Sequence, residues 1–289
     1  MIYFCADDYG LCTDVTERIQ QCIDEGVLNK VSVFLNFDKV DFDSLFKNEN
    51  IRLSLHLNLV EGKCMSGSEK TNMLTDSDGN FKSRFGGLFK NWLFHGKDLE
   101  KQLYREIKAQ VRYWKSILPP GVPFCIDSHQ HTHMIPAVFN ALLDVLKDEN
   151  ITPEYIRIPC EPILPYIKTP SLYFTYSPAN IIKQWLLRFL CLINKRRAKQ
   201  SDIPTALFMG VLFSGKMDKK RVLKILPHYE KISEKRGCDV EVLFHPGYTS
   251  SLPVDKNIVF DKFYLSDNRK TEFDSVTKIQ KEVYSNALH

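Results

Sequence analysis

Long apolar runs are missing: nowhere do the 289 residues offer the ~18 unbroken apolar positions that a membrane-spanning helix requires. The nearest approach, Trp185 to Ile193, is interrupted by Arg188. A basic n-region is missing too, since the chain opens Met-Ile-Tyr-Phe-Cys-Ala-Asp-Asp; no secretory signal is expected there, and the protein is expected to be cytoplasmic. The eight cysteines contain no Cys-x-x-Cys pair, which excludes a zinc ribbon or a dense disulfide framework and leaves most of them as small buried hydrophobes. No Gly-x-Gly-x-x-Gly follows a strand pattern and no P-loop occurs, so nucleotide-dependent redox or phosphoryl chemistry has no support. Internal repeats and low-complexity tracts are absent as well. A net charge of +4 is too mild to call for nucleic acid.

What is present is an ordinary globular composition, 44% hydrophobic and 26% charged, sufficient for a real core and expected to form one domain over 1–289. Short β-rich runs alternate with longer helical patterns, the signature of βαβ units and a mostly parallel sheet or barrel. Strands are expected at Ile2–Cys5, Val31–Leu35, Ile51–Leu59, Phe124–Asp127, Tyr155–Ile158, Ala206–Phe213 and Val240–Phe244. Helices are expected after Thr13 as N-cap up to Gly26, then over Leu99–Leu118, Pro136–Leu146, Ile181–Lys199 and Arg221–Glu234. Residues 61–96 are rich in Gly, Ser, Asn and Asp and read as a long loop, expected to act as a lid or binding loop.

The titratable groups cluster by position. Asp7 and Asp8 follow the first strand, His56 lies near the end of the third, and His129, His131 and His133 follow the fourth. Arg157 ends the fifth and His245 the last. In parallel α/β folds the carboxyl ends of the strands converge on one face, where ligands bind. Two adjacent carboxylates at a strand end could merely cap a helix or turn. Alternatively, one could ligate a metal while its neighbour faces the substrate as a base. Asp127-Ser128-His129-Gln130-His131-Thr132-His133 would place three imidazoles on one side if extended, and such a cluster points to metal or catalysis rather than packing. One aspartate with two histidines suits a divalent ion such as Zn, Mn, Fe, Co, Ni or Mg. Residue types alone do not order the three histidines: any could be a ligand or hold the substrate. Asp127 reads as either a partner for an imidazole N–H or a plain strand-end cap.

These residues resemble the YdjC/ChbG-like carbohydrate deacetylase family. The matching pieces are Ala6-Asp7-Asp8-Tyr9-Gly10, Leu55-His56-Leu57-Asn58-Leu59 with Glu61-Gly62, Ile126-Asp127-Ser128-His129-Gln130-His131-Thr132-His133 with Pro136, Arg157-Ile158-Pro159, and Phe244-His245-Pro246-Gly247. The resemblance implies a distorted (β/α) barrel of the polysaccharide-deacetylase type and metal-dependent removal of an N-acetyl group from an amino sugar. That sugar could be an oligosaccharide, nucleotide-linked or lipid-linked. It further implies Asp8, His56 and His129 as metal ligands, Asp7 as general base, His245 as general acid, and Arg157 orienting Asp7 or touching the substrate. The family usually has Asn where this chain has Cys5, expected to be a strand-end packing position at which a contact to the site is lost.

On a wheel of about 100° per residue, Ile182, Trp185, Leu186, Phe189, Leu192 and Ile193 form one stripe, while Leu187, Leu190 and Cys191 fall outside it. Seven basic residues and no acidic one lie between Glu161 and Asp202. This basic amphipathic helix, 181–199, is expected either to bury its stripe with a solvated cationic end or to contact an anionic membrane face or lipid-linked glycan; contact between two copies in a homodimer is the third option. Two other functions compete: an amidohydrolase-type metal hydrolase, suggested by His-x-His, and a non-catalytic sugar- or lipid-binding barrel.

Overall fold

The computed structural model describes residues 1–249 and 264–279; the rest of the expected 1–289 unit lies outside the described residues. Seven strands form one curled sheet: β1 (Ile2–Tyr9), β2 (Lys30–Val33), β3 (Arg52–Leu57), β4 (Cys125–Ser128), β5 (Tyr155–Ile156), β6 (Leu207–Met209) and β7 (Val240–Phe244). Their order is β5-β4-β3-β2-β1-β7-β6, and all neighbours in this order pair in parallel. The result is a half-barrel, as the alternation of strand and helix patterns predicts. At the seam between β5 and β6 a backbone bond from Ile156 N–H to the Pro204 carbonyl (3.3 Å) bridges the gap.

The helices are α1 (Thr13–Glu25), α2 (Phe42–Lys47), α3 (Phe85–Ile117), α4 (Pro136–Asp148), α5 (Leu164–Ile167), α6 (Pro178–Gln200), α7 (Lys219–Arg236) and α8 (Asp267–Lys278). The outer strand faces carry Phe4, Ala6, Val31, Val33, Leu53, Leu55 and Ile126, which join the main apolar cluster with Ile19, Ile107, Val111 and Leu142 from the helices. Burial of this layer is the chief source of stability.

Several expectations are corrected. Thr13 is the first helical residue of α1 and Cys12 the cap, without a side-chain cap bond. The 61–96 stretch divides, because helix begins at Phe85 and its regular conformation breaks at His95, beside Gly96. Residues 61–84 are a loop packed against α3. Leu74 and Thr75 are buried, and α3 binds the loop through Glu106 to the backbone N–H groups of Met65 and Ser66 and through Gln102 to that of Met73. The short α2 and the late α8 have no clear signal in the sequence.

Candidate active site

The barrel interior is polar. Strand alternation points Tyr3, Cys5 and Asp7 inward from β1, along with Lys30 and Ser32 from β2, His56 from β3, Asp127 from β4 and Glu241 from β7. The register sets His56 opposite Asp127. Alternation alone would send Asp8 to the helix side. Instead the β1–β2 register slips between Ala6 and Tyr9, and Asp8 takes a left-handed φ of +74°, which turns its carboxylate back to the mouth of the barrel. A non-glycine residue there costs free energy, and such positions cluster at functional sites.

The two carboxylates are held by different arginines. Asp7 takes a bidentate contact from Arg157, with Nη1 to Oδ2 at 2.8 Å and Nη2 to Oδ1 at 2.9 Å. Burial raises the Asp7 carboxyl, but Arg157, then His56, outweigh it and hold it below the usual carboxylate range. Asp8 Oδ2 accepts from Arg269 Nη2 at 2.5 Å. Here too burial is opposed by Arg269, then His129, and the carboxyl lies well below its ordinary value. Asp8 Oδ1 stands 3.5 Å from His56 Nε2 and 3.0 Å from His129 Nδ1.

His56 is oriented from behind. Its Nδ1 lies 2.6 Å from Asp127 Oδ1, and Asp127 Oδ2 accepts from Ser32 Oγ at 2.7 Å. Asp127 is therefore an imidazole partner, not a strand-end cap. With Nδ1 committed to a carboxylate, Nε2 is the ring nitrogen left to face Asp8, the orientation common behind metal-ligating histidines. Against burial, Asp7 and the Asp127 bond push His56 up to about 10; against burial, Asp8, then Glu61, push His129 up to about 9. No hydrogen bond of ordinary geometry satisfies the buried Asp8 Oδ1 or His56 Nε2. Asp8, His56 and His129 each present a ligand atom within 4.8 Å of the others. Unsatisfied buried donors of this chemistry fit a divalent ion. A second grouping, Asp7, His56 and Asp127, already spends its atoms on Arg157, Ser32 and one another.

The three clustered histidines do not lie on one extended face. Gln130 and His131 take left-handed φ values of 53° and 56°, and the segment winds into a 3-10 turn, His129–Met134. His129 reaches the carboxylates. His131 lines the cavity with its Nδ1 unpartnered and its ring edge-on to Phe208; burial, then Lys183, keep it neutral, well below its ordinary value. His133 turns away, with Nδ1 2.5 Å from Ser128 Oγ and Nε2 2.7 Å from the Arg157 carbonyl oxygen. Burial drives it down to about 4, so it is a neutral strut.

A cavity of about 400 Å³ opens over these groups, lined by Asp7, Asp8, His129, His131, His245 and Lys183 among others. His56, Asp127 and Arg157 form its buried floor. The His245 backbone N–H donates to Glu272 Oε2 at 2.5 Å, and its Nδ1 lies 3.4 Å from the same oxygen. Cys5 is more than packing: Arg157 Nη2 lies 3.2 Å from its Sγ, which is 3.8 Å from Asp7 Oδ1. Sequence reasoning missed Arg269, Glu272 and Tyr264, which carry no local motif. It also gave no role to Glu61, whose Oε1 is 3.5 Å from His129 Nε2 and whose Oε2 accepts from Tyr264 OH at 3.1 Å.

The family model of the YdjC-like protein matches residues 1–282. The chain belongs to the YdjC-like family. Family relatives include a carbohydrate deacetylase of Danio rerio, 32% identical over 84% of this chain and 80% of its own length. A carbohydrate deacetylase of Clostridium beijerinckii is 27% identical over 64% and 73% respectively. Among solved structures, a cellobiose-phosphate cleavage protein of Enterococcus faecalis superposes with a TM-score of 0.65 at 16% identity, covering 99% of this chain and 94% of that one, a likeness of fold.

Proposed function

We propose that this chain is a metal-dependent carbohydrate N-deacetylase that hydrolyses the acetamide of an amino sugar. The observation that carries this reading is the pair Asp7–Asp8. One carboxylate is saturated by Arg157 yet lines the cavity, and the other offers an unsatisfied oxygen beside two imidazoles. Relatives named carbohydrate deacetylase support the substrate class. The proposed ligands are Asp8, His56 and His129, and a divalent ion there would supply Lewis acidity, easing both deprotonation of water and attack on an amide carbonyl.

The chain's own residues do the rest. Arg157 keeps Asp7 ionised, so Asp7 accepts the proton of the attacking water. His245, set by Glu272, donates the proton that the departing amine nitrogen needs, so acetate and free amine leave. His131, neutral and facing the cavity, holds the substrate, and Asp127 fixes the His56 tautomer.

Metal-reconstituted protein incubated with N-acetylated oligosaccharides, nucleotide sugars and lipid-linked sugars should release acetate from one class, and Asp7→Asn should not. Acetate from the Asp7→Asn variant at the parental rate would remove Asp7 as the base. No acetate from any class, with metal shown to be bound, would move the site to another amide or to sugar binding.

A further inference from the structure

The apolar stripe of α6 faces outward. Gln184, Leu187, Leu190 and Asn194 form the buried face. It is pinned by Gln184 Nε2 to the Glu161 carbonyl (3.1 Å) and Asn194 Nδ2 to the Met134 carbonyl (2.8 Å). Ile182, Trp185, Phe189 and Leu192 are 70%, 59%, 55% and 64% exposed, and the preceding segment adds exposed Leu164, Ile167, Tyr173 and Phe174. So many exposed large apolar side chains within residues 164–192 of a folded chain mark an interaction surface.

The charge around the face selects the partner. Between Glu161 and Asp202 there are seven basic residues and no acidic one. On the α6 wheel, Arg188 and Lys199 flank one side of the stripe and Arg197 the other. Beside it, between α5, α6 and α7, lies a cleft of about 850 Å³ lined by Lys168, Arg188, Lys231, Lys235 and Arg236, with Leu164 at its border. A second copy of this chain related by a two-fold axis would bring two such cationic faces together, with no carboxylate in either 162–201 segment to pair them. Interfacial aromatics rimmed by lysine and arginine instead match an acyl boundary beneath anionic headgroups.

We propose that this face docks on an anionic lipid bilayer. Aromatic and aliphatic side chains of α6 enter the headgroup–acyl boundary, and the cleft receives headgroup phosphates. Asn180 and Lys183 of the same helix line the catalytic cavity, so docking sets the mouth of the site beside the lipid surface. The inference stands independently of the reaction proposed above.

Cosedimentation of the full chain with phosphatidylcholine vesicles, with and without about one-third phosphatidylglycerol, tests it. The expected result is partitioning at least about tenfold stronger onto the anionic vesicles, weakening as salt is raised. Trp185→Glu with Phe189→Glu should abolish that partitioning while leaving the thermal melting profile in place, since both side chains are exposed. Equal partitioning onto neutral and anionic vesicles, or undiminished binding by the double variant, overturns the proposal. Self-association by light scattering that the double variant abolishes, without vesicle binding, overturns it in favour of an interface between copies.

Discussion

Asp7 and Asp8 share a peptide bond and little else. Asp7 lies in regular strand alternation and answers to Arg157, whereas Asp8 sits in a left-handed twist and answers to Arg269. The division predicts separable losses. Asp7→Asn keeps shape but cannot take a proton, and kcat should fall by ~10²–10⁴ with metal content by atomic emission unchanged. Asp8→Asn tolerates the same backbone but should lose bound metal. His133 makes a prediction in pH. Its value of about 4 in the folded chain lies below the ordinary ~6.5 of an unfolded histidine, so the unfolded chain binds the proton first. The stability this group provides is whole above pH ~6.5 and is lost as pH falls to ~4, by about 3 kcal/mol. Urea midpoints across that range should show the loss, and His133→Asn should flatten it.

Much of the element pattern was legible in the sequence, and the failures have physical causes. β7 at Val240–Phe244 is legible because a buried parallel strand reads as a short, largely apolar run between helices, here interrupted only by Glu241. The His129–His133 segment was not legible as a turn, since left-handed φ at Gln130 and His131 is imposed by what the rings reach rather than by glycine. On α6 the stripe was visible but its direction was not. Both sides are apolar, and two inward amide hydrogen bonds decide which faces the protein. Arg269 and Glu272 were invisible as site residues because nothing near them in sequence marks chemistry; they matter through contacts 261 and 27 positions away. The seam between β5 and β6 offers a prediction at this scale. Glu161 follows β5 and accepts from the backbone N–H groups of Gly210, Val211 and Leu212 just beyond β6. Glu161→Ala leaves three donors unpaired where short strands do not pair, and should lower unfolding free energy by about 3 kcal/mol, measured by denaturant titration.

Across the whole molecule, charge rather than aliphatic layering fills the barrel. Lys30 Nζ reaches Glu241 Oε2 at 3.0 Å, Glu241 Oε1 accepts from Arg157 Nε at 2.7 Å, Tyr155 OH also donates to Glu241, and Arg157 goes on to Asp7 and, at 3.3 Å, Asp127. Lys30, Glu241 and Arg157 are all essentially inaccessible. A buried network of this kind is costly to break at one member, because the remaining charges stay desolvated. Glu241→Gln should therefore destabilise the fold by roughly 3 kcal/mol. It should also depress kcat more than KM, since Arg157 loses the carboxylate that positions it against Asp7.

The sheet order gives β1 a further consequence for biosynthesis. This strand holds Asp7 and Asp8 and lies between β2 and β7, so one of its edges must wait for residues 240–244 to leave the ribosome. Until then a nascent chain carries an open strand edge beside Lys30 and Arg157, whose shared carboxylate partner Glu241 is on β7 itself. Asp8 waits longer still, for Arg269. Growing chains of this protein should hold chaperones until β7 has emerged and gain a competent site only once Arg269 has followed it.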